Sequence, residues 1–294
     1  MGFNCGIVGL PNVGESTLFN ALTATATAQA ANYPFCTIEP NVGRVAVPDP
    51  RLDELVRIGK SQREIPTSLE FVDIAGLVRG ASRGEGLGNQ FLANIREVDA
   101  VIHVLRCFED DDITHVEGGV DPVRDAEIIE TELMLADLDS LEKRLPNLQK
   151  RARNRDAEAM AQIEIIEPIM EALRKGQPVR AVIPAGQEET VRRLQLLTSK
   201  PVLYVCNVEE DSAAEGNAFS RKVQAMAEAQ GAAVEIVCAA MDAEVRQLED
   251  TERREFLVEL GLKENGLYRV IAAGYGLLRL RRFFSAGPTE THAC

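Results

Sequence analysis

The sequence predicts an α/β fold: a mostly parallel sheet with helices on both faces, interrupted by a helical insertion. Three observations carry this. Short apolar runs recur between helix-like stretches. Most of these runs are almost continuously apolar, the pattern of strands covered on both sides. From Asp125 to about Ser199 the strand signal fades, and Ala, Glu, Leu, Lys and Arg dominate.

In chain order, Cys5–Val8 is the first strand, and Ser16–Thr23 starts a helix after a glycine-rich turn. Val42–Val47, Leu69–Val72 and Ala100–Leu105 are further strands, separated by polar, glycine-rich or helical segments. In the middle, Met134, Leu138, Leu141 and Leu145 recur at spacings of four, three and four. Ile163, Ile166, Met170 and Leu173 recur at three, four and three. Two such seams suit an antiparallel helical pair. Surface helices on the same core would carry the same periodicity. Pro146-Asn147 is expected to end or kink the first of these helices. "PVLYVCNV" and "AAVEIVCAA" are late strands, with a helix over 216–230 between them.

The 294 residues suffice for one large domain or two modest ones, and 45% hydrophobic with 27% charged residues fits a globular protein. No apolar run reaches the length of a membrane span, and the N-terminal residues carry neither a basic secretory leader nor a strong myristoylation signal. The six cysteines are scattered without C-x-x-C or zinc spacing, and four of them, Cys5, Cys107, Cys206 and Cys238, lie in or beside apolar runs, as expected of small buried side chains in a reducing, cytoplasmic setting. A net charge of −14 argues against whole-surface attraction to nucleic acid, and no DNA specificity is expected.

Four motifs carry chemistry. "GLPNVGES", Gly9 to Ser16, has the outline of the phosphate loop G-x-x-x-x-G-K-[ST], with Glu15 where lysine belongs. Backbone N–H groups in such a loop and the following helix N-terminus cradle phosphate oxygens. Ser16 is placed to ligate Mg²⁺, and Thr17 to hold the α-phosphate side. Alone, the loop reads equally well as a structural turn. "EFVDIAG", Glu70 to Gly76, puts an aspartate at the end of an apolar strand before a glycine turn. That is Walker B geometry: Asp73 in the Mg²⁺ shell, the Gly76 N–H on the γ-phosphate. In "CTIEP", Cys36 to Pro40, Thr37 is suited to reach Mg²⁺. In "YVCNVEE", Asn207, Val208 and Glu210 stand where guanine-nucleotide proteins carry N-K-x-D, so guanine reading should be weak. Together the motifs define a P-loop NTPase of GTPase-like type.

These residues resemble the Obg-like ATPase family, in its YchF branch. The resemblance rests on the motifs above and on long stretches including "NYPFCTIEPNVGRV", "FVDIAGLVRGASRGEGLGNQFLANIRE", "VIHVLRCFEDDDITHVEG" and "GYGLLRLRRFFSAG". It implies a domain that prefers ATP, a coiled-coil insertion, a C-terminal TGS domain, Mg²⁺, an assisting K⁺ assigned to Asn12, and ribosome association. Carried over by position, Asn12, Val13, Gly14, Ser16 and Thr17 match the phosphate loop. Ser16 and Thr37 match the metal ligands, Asp73 and Gly76 the γ-phosphate switch, and Asn207 and Glu210 the base-reading motif. Leu77 stands where Ras-type enzymes orient water with glutamine, and Ser82 stands near a position that is histidine in some members. No base is assigned. The expected organisation is a nucleotide-binding domain over 1–124 and 200–278, a helical insertion over 125–199, and a remnant of the entry to a TGS domain over 279–294.

Two departures stand out. Glu15 would place negative charge beside the phosphates. Two unit charges about 4 Å apart interact by roughly 4 kcal/mol at an effective dielectric near 20. That is on the order of a thousandfold in affinity. ATP binding is therefore expected to be weak and metal-dependent, and turnover slow or absent. A non-hydrolysing, nucleotide-sensing ribosome-binding switch and a non-functional truncated copy are the alternatives. The second departure is the close after "FFSAG", where most of a TGS domain is expected to be missing and Tyr275–Phe284 to keep an unpaired apolar face. Lys143, Arg144, Lys150, Arg151, Arg153 and Arg155 form a basic cluster at the expected hairpin tip, suited to RNA phosphates or simply solvated. With the resemblance, it makes the helical insertion the expected route to a ribosome or ribosomal subunit. His103 is expected in the core and His115 on the surface.

Overall fold

In the computed structural model, residues 3–30, 41–74, 87–110, 112–245, 247–262 and 264–294 are described. β1 (Phe3–Gly9), β2 (Val42–Ala46), β4 (Ser68–Asp73), β5 (Ala100–Arg106), β6 (Val202–Asn207) and β7 (Ala233–Val237) form one six-stranded sheet, ordered β2-β4-β1-β5-β6-β7. These are the six predicted strands. β1, β4, β5, β6 and β7 run parallel, and β2 is antiparallel on β4 at the edge. β5 and β6 are buried along their whole length, as their largely apolar sequences favour, whereas β2 alternates. Helices cover both sides of the sheet.

The chain folds as two compact units. The first holds the described residues up to Ile74, with Val98–Pro122 and Val202–Cys294. It contains the six-stranded sheet together with α1 (Glu15–Ala30), α2 (Pro50–Gly59), α7 (Ala218–Gln230), α8 (Ala239–Val245), α9 (Asp250–Glu259) and α10 (Gly266–Leu277). A second sheet in this unit, β3 (Arg63–Ile65), β9 (Glu290–Ala293) and β8 (Phe284–Ala286), pairs β3 parallel to β9 and β9 antiparallel to β8. Sequence periodicity misses these strands, which are three or four residues long and partly polar.

This sheet corrects the expectation of an unpaired apolar face over Tyr275–Phe284. Tyr275 is buried in α10, and the Arg282 guanidinium lies 4.5 Å over its ring. Arg282 also pairs with Asp49, the N-cap of α2. Arg51 covers Phe284 at 4.9 Å, and the Ser61 hydroxyl meets both Gly287 O and Thr291 Oγ1 at 2.6 Å. Among the large apolar side chains of that stretch, Phe283 stays largely open, 73% exposed.

The second unit holds α3 (Leu87–Glu97) and the described residues of Val123–Pro201. α4 (Pro122–Arg153) and α5 (Ala157–Arg174) make the predicted pair, with Leu141, Ile166, Met170 and Leu173 buried and Met134, Leu138, Leu145 and Ile163 packed against them. Of the two expected effects, an end or a kink, the end does not occur at Pro146, and α4 continues to Arg153. Proline removes one backbone donor, and the carbonyl it orphans belongs to Glu142. Both residues are exposed, so that carbonyl is within reach of solvent while Leu141, Leu145 and Leu148 keep the seam. Asp156 caps α5 by accepting from Ala159 N at 3.1 Å. Inside this unit the buried Asp137 carboxylate accepts from the backbone of Leu197 and Thr198 at 2.7 and 2.8 Å.

Candidate functional site

β1 ends on Gly9, and the chain turns through Leu10–Gly14 into α1. Gly9 is required by space: a Cβ there would meet Val13 Cγ2 at 2.6 Å. Gly14 is required by backbone and space together. Its φ is +92°, and a Cβ would stand 2.2 Å from Asn207 Nδ2. Asn12 adopts φ 66°, and its amide donates to Thr114 O at 3.2 Å. Gly14 O accepts from Leu18 N at 2.9 Å and starts the helix. Ser16 and Thr17 in the first turn are exposed, with their hydroxyls open to a ligand.

β4 lies parallel beside β1 with Asp73 in register with Ile7. This brings Asp73 to Glu15, the first residue of α1. Glu15 is 9% exposed, and its Oε1 is buried with no hydrogen-bond partner. Burial, then the Asp73 charge and the hydrogen bond between the two groups, push the Glu15 carboxyl up to about 9. Burial also raises Asp73, and the hydrogen bond from Glu15 opposes that rise. The two carboxyls together favour holding one proton between them over carrying two negative charges side by side. The sequence expectation takes residue 15 as a full negative charge; burial beside Asp73 works against that charge in the protein alone.

Asn207 ends β6. Its Nδ2 donates to Val13 O at 3.0 Å, and its Oδ1 accepts from Ala239 N at 3.0 Å. It thus ties the phosphate loop to the start of α8. Val208 is buried, and its N–H donates to Val237 O at 2.8 Å. Of the three residues assigned to base reading, Glu210, exposed in the 3-10 turn Glu210–Ser212, is the one open to a base edge. Its neighbour Glu209 is taken up by Asn217 and Ser212. Thr37, Gly76, Leu77 and Ser82 lie outside the described residues.

Sequence reasoning missed Arg106. Buried at the end of β5, it donates to Phe108 O, Ile113 O and Asp110 O at 3.1, 2.8 and 3.1 Å. It sets the path that leads to Thr114, the acceptor for Asn12. The signal was present: an arginine closing an apolar strand in "VIHVLRCF" needs several acceptors to be buried.

His103 is buried with its ring 5.6 Å from Tyr204, as expected of a core histidine. In the basic cluster, Lys143 pairs with Asp139, Arg144 donates to Leu194 O, and Arg151 pairs with Asp156 and Glu158. Lys150, Arg153 and Arg155 remain exposed.

A glycine loop between the first strand and first helix, with an aspartate at the end of the adjacent parallel strand, defines the GTPase-like class of P-loop proteins. A family model described as a 50S ribosome-binding GTPase matches residues 4–135. The ribosome-binding ATPase YchF of Haemophilus ducreyi is 55% identical over 294 residues, covering 100% of this chain and 80% of that protein. Its counterpart in Bacillus subtilis is 50% identical over 296 residues, covering 100% and 81%. The solved structure of the Schizosaccharomyces pombe YchF GTPase superposes with a TM-score of 0.88 at 37% identity, covering 100% of this chain and 80% of that one. The chain belongs to the YchF family.

Proposed function

We propose that this chain is a Mg²⁺-dependent P-loop NTPase that takes ATP in preference to GTP, works on a ribosome or ribosomal subunit in the cytoplasm, and turns over slowly because of Glu15. The observation that carries the reading is the Gly9–Ser16 loop feeding α1 beside Asp73 at the end of β4. Asn12, Val13, Gly14, Glu15, Ser16 and Thr17 line the phosphate site. Ser16 and Thr37 are the metal ligands of this reading, with Asp73 in the outer shell and Gly76 on the γ-phosphate. Hydroxyl and carboxylate oxygens suit a hard cation, and the unpartnered Glu15 Oε1 adds one more oxygen donor. Bound Mg²⁺ would supply charge neutralisation for the phosphates. Asn207 positions the loop, Val208 packs behind it, and Glu210 contacts the base. K⁺ at Asn12 assists as a second charge source. The preference for ATP follows the relatives' name and the absence of an N-K-x-D aspartate. Ribosome contact runs through the helical insertion.

Glu15→Lys is the test. Adding one positive charge about 4 Å from phosphate oxygens is worth roughly 4 kcal/mol at an effective dielectric near 20. ATP affinity, measured by titration calorimetry in EDTA, should rise on the order of a thousandfold, with phosphate release appearing once Mg²⁺ is added. A lysine variant that neither binds nor hydrolyses ATP would refute the reading. Binding without turnover in the unmodified chain supports the second reading, a nucleotide-sensing switch, which the buried, lysine-free loop favours.

A further inference from the structure

The Glu15 carboxyl is turned back into the loop rather than out to water. Its Oε2 lies 3.6 Å from the position of a Cβ built on Gly9, and the group is hydrogen-bonded to Asp73. Glu15 is 9% exposed, yet Oε1 has no partner. A buried carboxyl oxygen without a donor is rare, because burial removes its water and nothing replaces it. Two carboxyls side by side compound the problem: a proton can bridge them, but it leaves Oε1 unsatisfied. An ion with several coordination positions can engage both. Next in the chain stands the exposed Ser16 hydroxyl, a third hard oxygen on the same helical turn.

We propose that Glu15 and Asp73 hold a divalent cation of the Mg²⁺ class in the loop before any nucleotide arrives, and that this ion supplies the positive charge which lysine gives other phosphate loops. The proposal rests on the nucleotide-site reading above and goes further: Glu15 becomes a ligand, and the order of binding becomes metal first. Small hard cations take carboxylate and hydroxyl oxygens and keep several waters, which phosphate oxygens can then displace; on binding, the proton shared by the two carboxyls is released to water. Residue 15 is thereby a substitute for lysine rather than a simple loss.

The full-length chain, free of nucleotide, should be titrated with Mn²⁺ while the electron paramagnetic resonance signal of the free ion is followed. One Mn²⁺ per chain should bind and be displaced by Mg²⁺. Glu15→Gln, nearly the same shape, should weaken Mn²⁺ at least tenfold while keeping the far-ultraviolet circular dichroism and the melting temperature in EDTA. Asp73→Asn should weaken it similarly, and it carries the test if the glutamine variant does not fold. Glu15→Lys should bind no Mn²⁺ without nucleotide. Absence of saturation by about 1 mM Mn²⁺, or isotherms unchanged by these substitutions, overturns the proposal. Failure of the nucleotide-site reading is seen separately, as a Glu15→Lys chain that does not bind ATP.

Discussion

The phosphate loop depends on single atoms. Gly14 combines φ +92° with a Cβ position 2.2 Å from Asn207 Nδ2, so alanine there is excluded twice. Gly14→Ala should lose at least about 2 kcal/mol, from left-handed strain and from displacing the Asn207 side chain. Urea unfolding measures this. Adding Asn207→Ala should cost less than the sum of the two single changes, because the same contact is removed twice. An additive double variant would show that the contact is not formed. At this scale the sequence exposed which residues meet, but not their states. Glycine spacing and a strand-end aspartate announced the loop and Asp73. That the Glu15 carboxyl would be pushed up was not legible, because the shift depends on burial and on Asp73, which lies 58 positions away (73 − 15). For Arg106 the sequence shows that a strand-end arginine needs acceptors, but not which ones, because they are backbone carbonyls of Phe108, Asp110 and Ile113.

Among elements, those with long apolar signals were legible. β1, β5 and β6 are mostly hydrophobic runs, β4 and β7 are shorter apolar stretches interrupted by Glu70 and Glu235, and α4 and α5 carry clear heptad-like seams. β3, β8 and β9 were not, since three or four residues cannot display a period and their partners are remote in sequence. The helical pair presents Lys150, Arg153 and Arg155 to solvent near the turn before Asp156. Exchanging all three for glutamate should weaken co-sedimentation with ribosomes at least about tenfold at low salt, and the difference should shrink as salt rises. Melting temperature should stay constant, because surface charges away from packed contacts contribute little. Unchanged co-sedimentation would take the hairpin out of the ribosome contact.

For the whole molecule, stability is linked to pH through Asp242. Its side chain is 0% exposed, Oδ1 accepts from Gly266 N at 2.9 Å, and Oδ2 has no partner. Burial raises its pKa from 3.8 to about 6. The folded chain thus holds this proton more tightly than the unfolded one. The contribution is fully present below about pH 4 and is lost as pH rises through about 6, a change of about 3 kcal/mol. Asp242→Asn keeps an acceptor for Gly266 and gives the orphaned position a donor. Compared with the unmodified chain by urea unfolding, it should be more stable by about 1–3 kcal/mol at pH 8 and lose that advantage near pH 4. An unvarying difference across that range would contradict the assignment. The small sheet bears on the whole chain in another way, through time. Arg63 of β3 bonds Glu290 of β9 across 227 positions, so β3 has nothing to pair with until the intervening chain has been made. At 5–20 residues per second that wait is about 10–45 s, during which a nascent edge strand must be kept from pairing with neighbours.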